Sequence, residues 1–142
     1  EIAKHENIVG VKEASGDLNQ MKEVLARRPK NFTVLSGDDG LTLELIKMGG
    51  DGVISVATNV APKAVVDMVN AALEGRREEA EQKNEALKDL FGKLFIETNP
   101  VPVKYAAHKL GLCELVYRLP MCGPTEESKK ILNDLLRQYK LI

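Results

Sequence analysis

The sequence predicts an α/β fold that continues into an all-helical tail. Two observations carry this: three short apolar stretches begin some twenty residues apart, near Asn7, Phe32 and Gly52, and each is followed by residues at helical spacing. Past Leu73 only helical periodicity remains. The chain therefore divides into an α/β part over 1–74 and a helical region over 75–142.

Each element has its own signals. A strand is expected from Asn7 to Lys12, preceded at Glu1–His5 by what reads as the end of a helix. Asp17 is a good N-cap for a helix in which Leu18, Met21, Val24 and Leu25 share a face, and Pro29 closes it after Arg28. Phe32–Leu35 forms the second strand and Ser36–Gly40 its turn. Leu41, Leu43, Leu45, Ile46 and Met48 then supply a helix that Gly49-Gly50 ends. The third strand is expected over Gly52–Val56, and Pro62 suits the first turn of a helix running to Leu73. From Arg76 to Phe95 a charged, amphipathic helix follows, its charge run being the solvated side. The two prolines of Glu97-Thr98-Asn99-Pro100-Val101-Pro102 predict an irregular junction, with helix resuming over Val103–Leu110. Leu119-Pro120-Met121 reads as an extended connector. Thr125 caps the last helix, with Glu126 and Glu127 in its first turn and Arg137 and Lys140 near its end, as the helix dipole favours.

Composition narrows the functions. A chain of 142 residues, 44% apolar, can bury a real core, and 20 basic against 21 acidic residues leave a net charge of -1. Nothing in that balance points to nucleic acid or a membrane surface. The apolar runs fall far short of the roughly 20 residues of a membrane span. Cys113, Cys122, His5 and His108 are scattered without the paired spacing of a structural zinc site, so no metal is expected. Reduced thiols and the lack of a targeting segment fit a cytoplasmic protein. The first residue is not methionine, which hints at missing upstream sequence.

Chemistry concentrates at Gly10-Val11-Lys12-Glu13-Ala14-Ser15-Gly16-Asp17, where an apolar strand stops in a lysine. At a cavity mouth such an amine would be half desolvated, which favours the neutral nucleophile that condenses with a carbonyl. A solvated lysine that merely ends a strand fits the same residues. Glu13 points to the opposite face and carries no catalytic role.

Three parallel strands cannot cover both faces or close on themselves. The turn after the first strand has one glycine and no phosphate-binding G-x-G-x-x-G, and Gly49-Gly50-Asp51-Gly52 precedes its strand. A (β/α)8 TIM barrel needs about 250 residues. The expected architecture is thus the last three βα units of such a barrel plus the C-terminal helical region. Lys12, Ser36-Gly37-Asp38 and Ser55–Thr58 would then share the rim at the strands' C-terminal ends. Open edges predict association, either as a homo-oligomer or with an upstream barrel fragment.

Four motifs, Gly10–Asp17, Leu35-Ser36-Gly37-Asp38-Asp39, Gly50–Val56 and Glu97–Lys104, resemble in order and spacing the C-terminal half of the dihydrodipicolinate synthase (4-hydroxy-tetrahydrodipicolinate synthase) family. The resemblance extends over essentially the whole chain. It implies metal-free, cofactor-free class I aldolase chemistry, in which pyruvate is condensed with aspartate semialdehyde on the way to lysine by a tetrameric barrel. It further implies that Lys12 forms the Schiff base with pyruvate and that the backbone at Ile54 lies beside it. Gly37 leaves room for substrate on the same rim, although a simple turn glycine fits equally. The family's threonine-containing glycine loop, relay tyrosine and substrate-guiding arginine belong upstream, and Tyr105, Tyr117 and Tyr139 do not match that tyrosine. N-acetylneuraminate lyase and sugar-acid aldolases share the lysine, but Lys12-Glu13-Ala14 and Asn99–Pro102 are closer to the synthase. An alternative is a self-associating partial barrel without turnover.

Overall fold

The computed structural model describes residues 2–142. The expected helix remnant at the start is a single 3-10 turn, Ile2–Lys4, and Glu1 lies outside the described residues. Two compact units are formed, one from residues 1–55 and 66–85, the other from 56–65 and 86–142.

In the first unit β1 (Gly10–Glu13), β2 (Thr33–Ser36) and β3 (Gly52–Val53) lie parallel in the order β1-β2-β3. The register sets Lys12 opposite Leu35, Glu13 opposite Ser36, and Leu35 opposite Gly52. Side chains alternate along a strand, so Val11, Val34 and Glu13 share one face and Lys12 and Leu35 the other.

The helices explain which face is buried. Asp17 starts α1 (Leu18–Arg27) by accepting a hydrogen bond from the Asn19 N–H at 2.8 Å. Arg28, held extended by the following Pro29, ends it. After α2 (Thr42–Lys47) the chain turns sharply through Gly49, at φ +100°, and Gly50, where a Cβ would meet the Leu45 side chain at 2.6 Å. Met21 of α1, Val34 of β2 and Leu45 of α2 are fully buried together, with Val24, Leu25, Phe32 and Leu41 packed around them. That cluster covers the Val34 face. On the other face Lys12 and Thr33 are exposed and Leu35 is half-buried.

Two strands are shorter than the apolar pattern suggests. β1 starts at Gly10 rather than Asn7, and Val9 is 71% exposed. It is an end strand with a ladder on one side alone, so its first residues gain little from extending. β3 spans two residues instead of five, because β2 ends at Ser36 and the Ile54 N–H to Ser36 O bond, 2.8 Å, is the last rung available. Val56 then opens a 3-10 turn over Ala57–Asn59.

Helices α3 (Pro62–Leu73) and α4 (Arg77–Lys93) contribute residues to both units. In the second unit, α5 (Val101–Lys109) packs against α6 (Glu126–Gln138), and the Tyr105 hydroxyl of α5 donates to Asn133 Oδ1 of α6 at 3.3 Å. α5 begins two residues before the expected Val103. Pro102 falls in its first turn, where a missing N–H leaves no bond unmade. Leu119–Pro120 forms a turn rather than an extended connector.

Thr125 caps α6, its Oγ1 accepting from the Ser128 N–H at 3.2 Å, while its own N–H donates to Glu97 Oε1 at 3.0 Å. The Ser128 hydroxyl, followed by the Thr125 N–H, holds the Glu97 carboxyl below the usual carboxylate range. A depressed native value stabilises the fold above the ordinary carboxylate pKa, and that contribution fades as pH falls through the lowered value. Thr125→Ala removes the cap and is expected to cost about 1 kcal/mol in denaturant titrations at neutral pH. An unchanged midpoint would show that the cap contributes nothing.

Candidate active site

The site is assembled from the ends of adjacent strands. Lys12 is the penultimate residue of β1, Gly37 follows β2 directly, and Ile54 follows β3 directly. The structure thus brings all three sequence-predicted residues to the C-terminal edge of one parallel sheet.

Gly37 is where two strands meet most closely. Its N–H donates to the Glu13 carbonyl at 2.6 Å, carrying the β1–β2 ladder one step past the end of β2. A Cβ built on Gly37 would lie 2.5 Å from Ala14 Cβ and 2.8 Å from Lys12 Cε. The lysine stem therefore rests against a bare backbone. The space kept free by this glycine is occupied by Ala14 and by the stem of Lys12 itself, a role that the sequence reading, with its substrate and turn alternatives, did not include.

The loop after β2 is tied to itself. Ser36 Oγ donates to the Asp38 carbonyl at 2.7 Å and accepts from the Asp38 N–H at 3.1 Å; Thr42 Oγ1 donates to the same carbonyl at 2.9 Å. Asp38 Oδ1 accepts from the Leu41 N–H at 3.2 Å. Each bond fixes Gly37 by fixing its neighbours. Ser36 and Thr42 are fully buried, where such bonds gain strength from the low dielectric.

Lys12 is exposed, contrary to the half-desolvated environment expected of it. The reason lies in the layering: α1 and α2 pack on the Val34 side, and the lysine side of the sheet, with Ile54 at 49% exposure, is left open. At Ile54 the main chain is committed to the sheet through its N–H, which leaves the carbonyl and the side chain to face whatever lies above the rim.

Sequence reasoning placed Glu13 on the face opposite Lys12 but did not foresee its bonds. It is 4% exposed, faces away from Lys12, and accepts through Oε1 from the Ser15 N–H at 3.1 Å and the Gln20 amide at 3.0 Å. The available signal was an acidic residue at an inward strand position with polar partners two and seven residues on. Among the described residues no three His, Cys, Asp or Glu side chains gather as metal ligands, and no helix is long and apolar enough to cross a membrane.

Comparison with known proteins agrees with this geometry. The Dihydrodipicolinate synthetase family matches residues 1–139. The 4-hydroxy-tetrahydrodipicolinate synthase of Chlorobium limicola is 50% identical over 136 residues, 96% of this chain and 46% of that protein. The crystal structure of dihydrodipicolinate synthase from Aquifex aeolicus superposes with a TM-score of 0.95 at 44% identity, covering 99% of this chain and 48% of that one. The Acinetobacter baumannii enzyme, solved in complex with pyruvate, gives a TM-score of 0.93 at 36% identity, again over 99% of this chain and 48% of that one. The chain spans about half the length of these relatives, and its fold is a partial barrel. With the family matched over residues 1–139 and the backbone over 99% of the chain, it belongs to the dihydrodipicolinate synthetase family.

Proposed function

We propose that this chain is the C-terminal half of a synthase that condenses pyruvate with aspartate semialdehyde in lysine biosynthesis, with Lys12 as its Schiff-base nucleophile. In this reading residues 1–74 are the last three βα units of a (β/α)8 barrel and 75–142 its helical region. The observation that carries the reading is the placement of Lys12, packed on Gly37 at the rim with Ile54 at the end of β3.

The Lys12 amine adds to the pyruvate ketone and water leaves, giving a protonated imine. That cation draws electrons from the neighbouring methyl carbon, which releases a proton to form an enamine. The enamine carbon bonds to the aldehyde carbon as the C=O π pair moves onto oxygen, which takes up a proton; water then hydrolyses the regenerated imine and frees the lysine. Gly37 and the Ile54 backbone border the pyruvate, and the proton transfers, commonly worth about 100- to 10,000-fold, fall to groups of the other barrel half. The imine is itself the electron sink, so the scheme calls on no metal or cofactor. The free, exposed thiols of Cys113 and Cys122 support a reducing, cytoplasmic setting.

Borohydride reduction in the presence of pyruvate, followed by peptide mapping, tests this on the chain alone and mixed with the remaining half of the Aquifex aeolicus relative. A pyruvyl adduct on Lys12 is the expected result. Absence of that adduct from both preparations, each shown to be folded, overturns the reading.

A second reading, a self-associating partial barrel without turnover, is favoured by the end strand β1 and the exposure of Val9, Val11 and Ile54. Unpaired strand edges recruit further strands, so the isolated chain is expected to sediment as an oligomer. A stable monomer across micromolar concentrations would remove that reading.

A further inference from the structure

Glu13 is an unfavourable residue for its place. An acidic side chain buried in a sheet calls for a donor on each oxygen, yet among the described residues Oε2 has none. An apolar residue would fill the same inward position without that penalty. Locally unfavourable choices of this kind concentrate at functional sites.

What Glu13 gains is a junction of three segments. Oε1 receives the Ser15 N–H from the turn after β1 and the Gln20 amide from α1, while the main-chain carbonyl receives the Gly37 N–H from the loop after β2. Two of those segments adjoin Lys12: the turn follows it directly in the chain, and Gly37 of the loop after β2 lies against its stem. The Glu13 side chain thereby ties the end of β1 to α1 as well as to its own turn.

We propose that Glu13 is a positioning residue for Lys12: its buried carboxyl fastens the end of β1 to α1 and to the Ser15 turn, so that the amine is delivered at a fixed place over Gly37. This rests on the reading of Lys12 as nucleophile. The side chain itself stays on the opposite face and touches no substrate.

The test compares Glu13→Ala, which deletes the acceptor, with Glu13→Gln, which keeps an oxygen for both donors. It uses the preparation in which the parent chain forms its pyruvate adduct. Glu13→Ala is expected to slow adduct formation about tenfold, a part of the roughly 100-fold loss that a 1 Å misplacement brings. Glu13→Gln is expected to restore the parent rate. Acetylation of Lys12 by acetic anhydride, which needs no oriented approach, should proceed equally in all three, so that a change in the amine's intrinsic reactivity is told apart from a change in its placement. Should Glu13→Ala not fold, Gln20→Ala removes one of the two donors and is expected to slow the adduct a few-fold. Parent-like trapping in whichever of these variants folds, failure of the glutamine to restore the rate, or unequal acetylation overturns the proposal while leaving Lys12 as nucleophile. A parent chain that forms no adduct at Lys12 overturns both.

Discussion

Lys12→Arg will abolish the pyruvate adduct entirely. Arginine keeps the positive charge and nearly the length of lysine, but its guanidinium holds its proton at any working pH and offers no amine to a ketone. The Lys12 side chain is exposed and takes no part in the Met21, Val34 and Leu45 cluster, so the substitution should leave stability within about 0.5 kcal/mol of the parent. A full loss of trapping with an unchanged denaturation midpoint isolates chemistry from folding. An adduct that survives, mapped to another lysine, would mean that the trapped amine is not the one at the sheet's rim.

Gly37→Ala is the second substitution with a large expected effect. Its Cβ would sit 2.5 Å from Ala14 Cβ, 2.8 Å from Lys12 Cε and 3.1 Å from the Glu13 carbonyl, and the first and last of these belong to parts of the chain with no flexible end to swing aside. The loop must back away, weakening the 2.6 Å bond from the Gly37 N–H to Glu13. We expect a loss of about 1–3 kcal/mol in stability from overpacking. Displacement of the lysine by about 1 Å should slow adduct formation about 100-fold. The double variant Ala14→Gly, Gly37→Ala relieves the shortest contact and should recover part of both losses. No recovery in the double variant would favour the simpler view, that the glycine only makes room for substrate.

The helices were legible in the sequence because their ends are written locally. Asp17 and Thr125 both cap as their residue types suggest, and α3 runs from Pro62 to Leu73 as the periodicity predicts. Strand lengths were not, since a strand lasts only as long as its neighbour: β3 stops after Val53 because β2 has already turned away at Ser36. Pro102 misled through position rather than type, being tolerated in a first turn. For the candidate site, Lys12 and Gly37 were singled out at strand ends and Ile54 through the family resemblance, and the sheet places the three at one edge. The fit of Lys12 against Gly37, and the bonds of Glu13 to Ser15, Gln20 and Gly37, depend on contacts across the sheet and across the turn that no linear pattern states.

The two faces of the sheet also tolerate substitution differently. Substitution of Val34 or Leu45 is answered by the whole packed cluster, whereas Thr33, on the lysine side, is exposed and belongs to no cluster. An exposed side chain such as Thr33 or Lys12 can therefore change at little cost to this cluster, whereas Gly37, closed in by Ala14 and the Glu13 carbonyl, cannot.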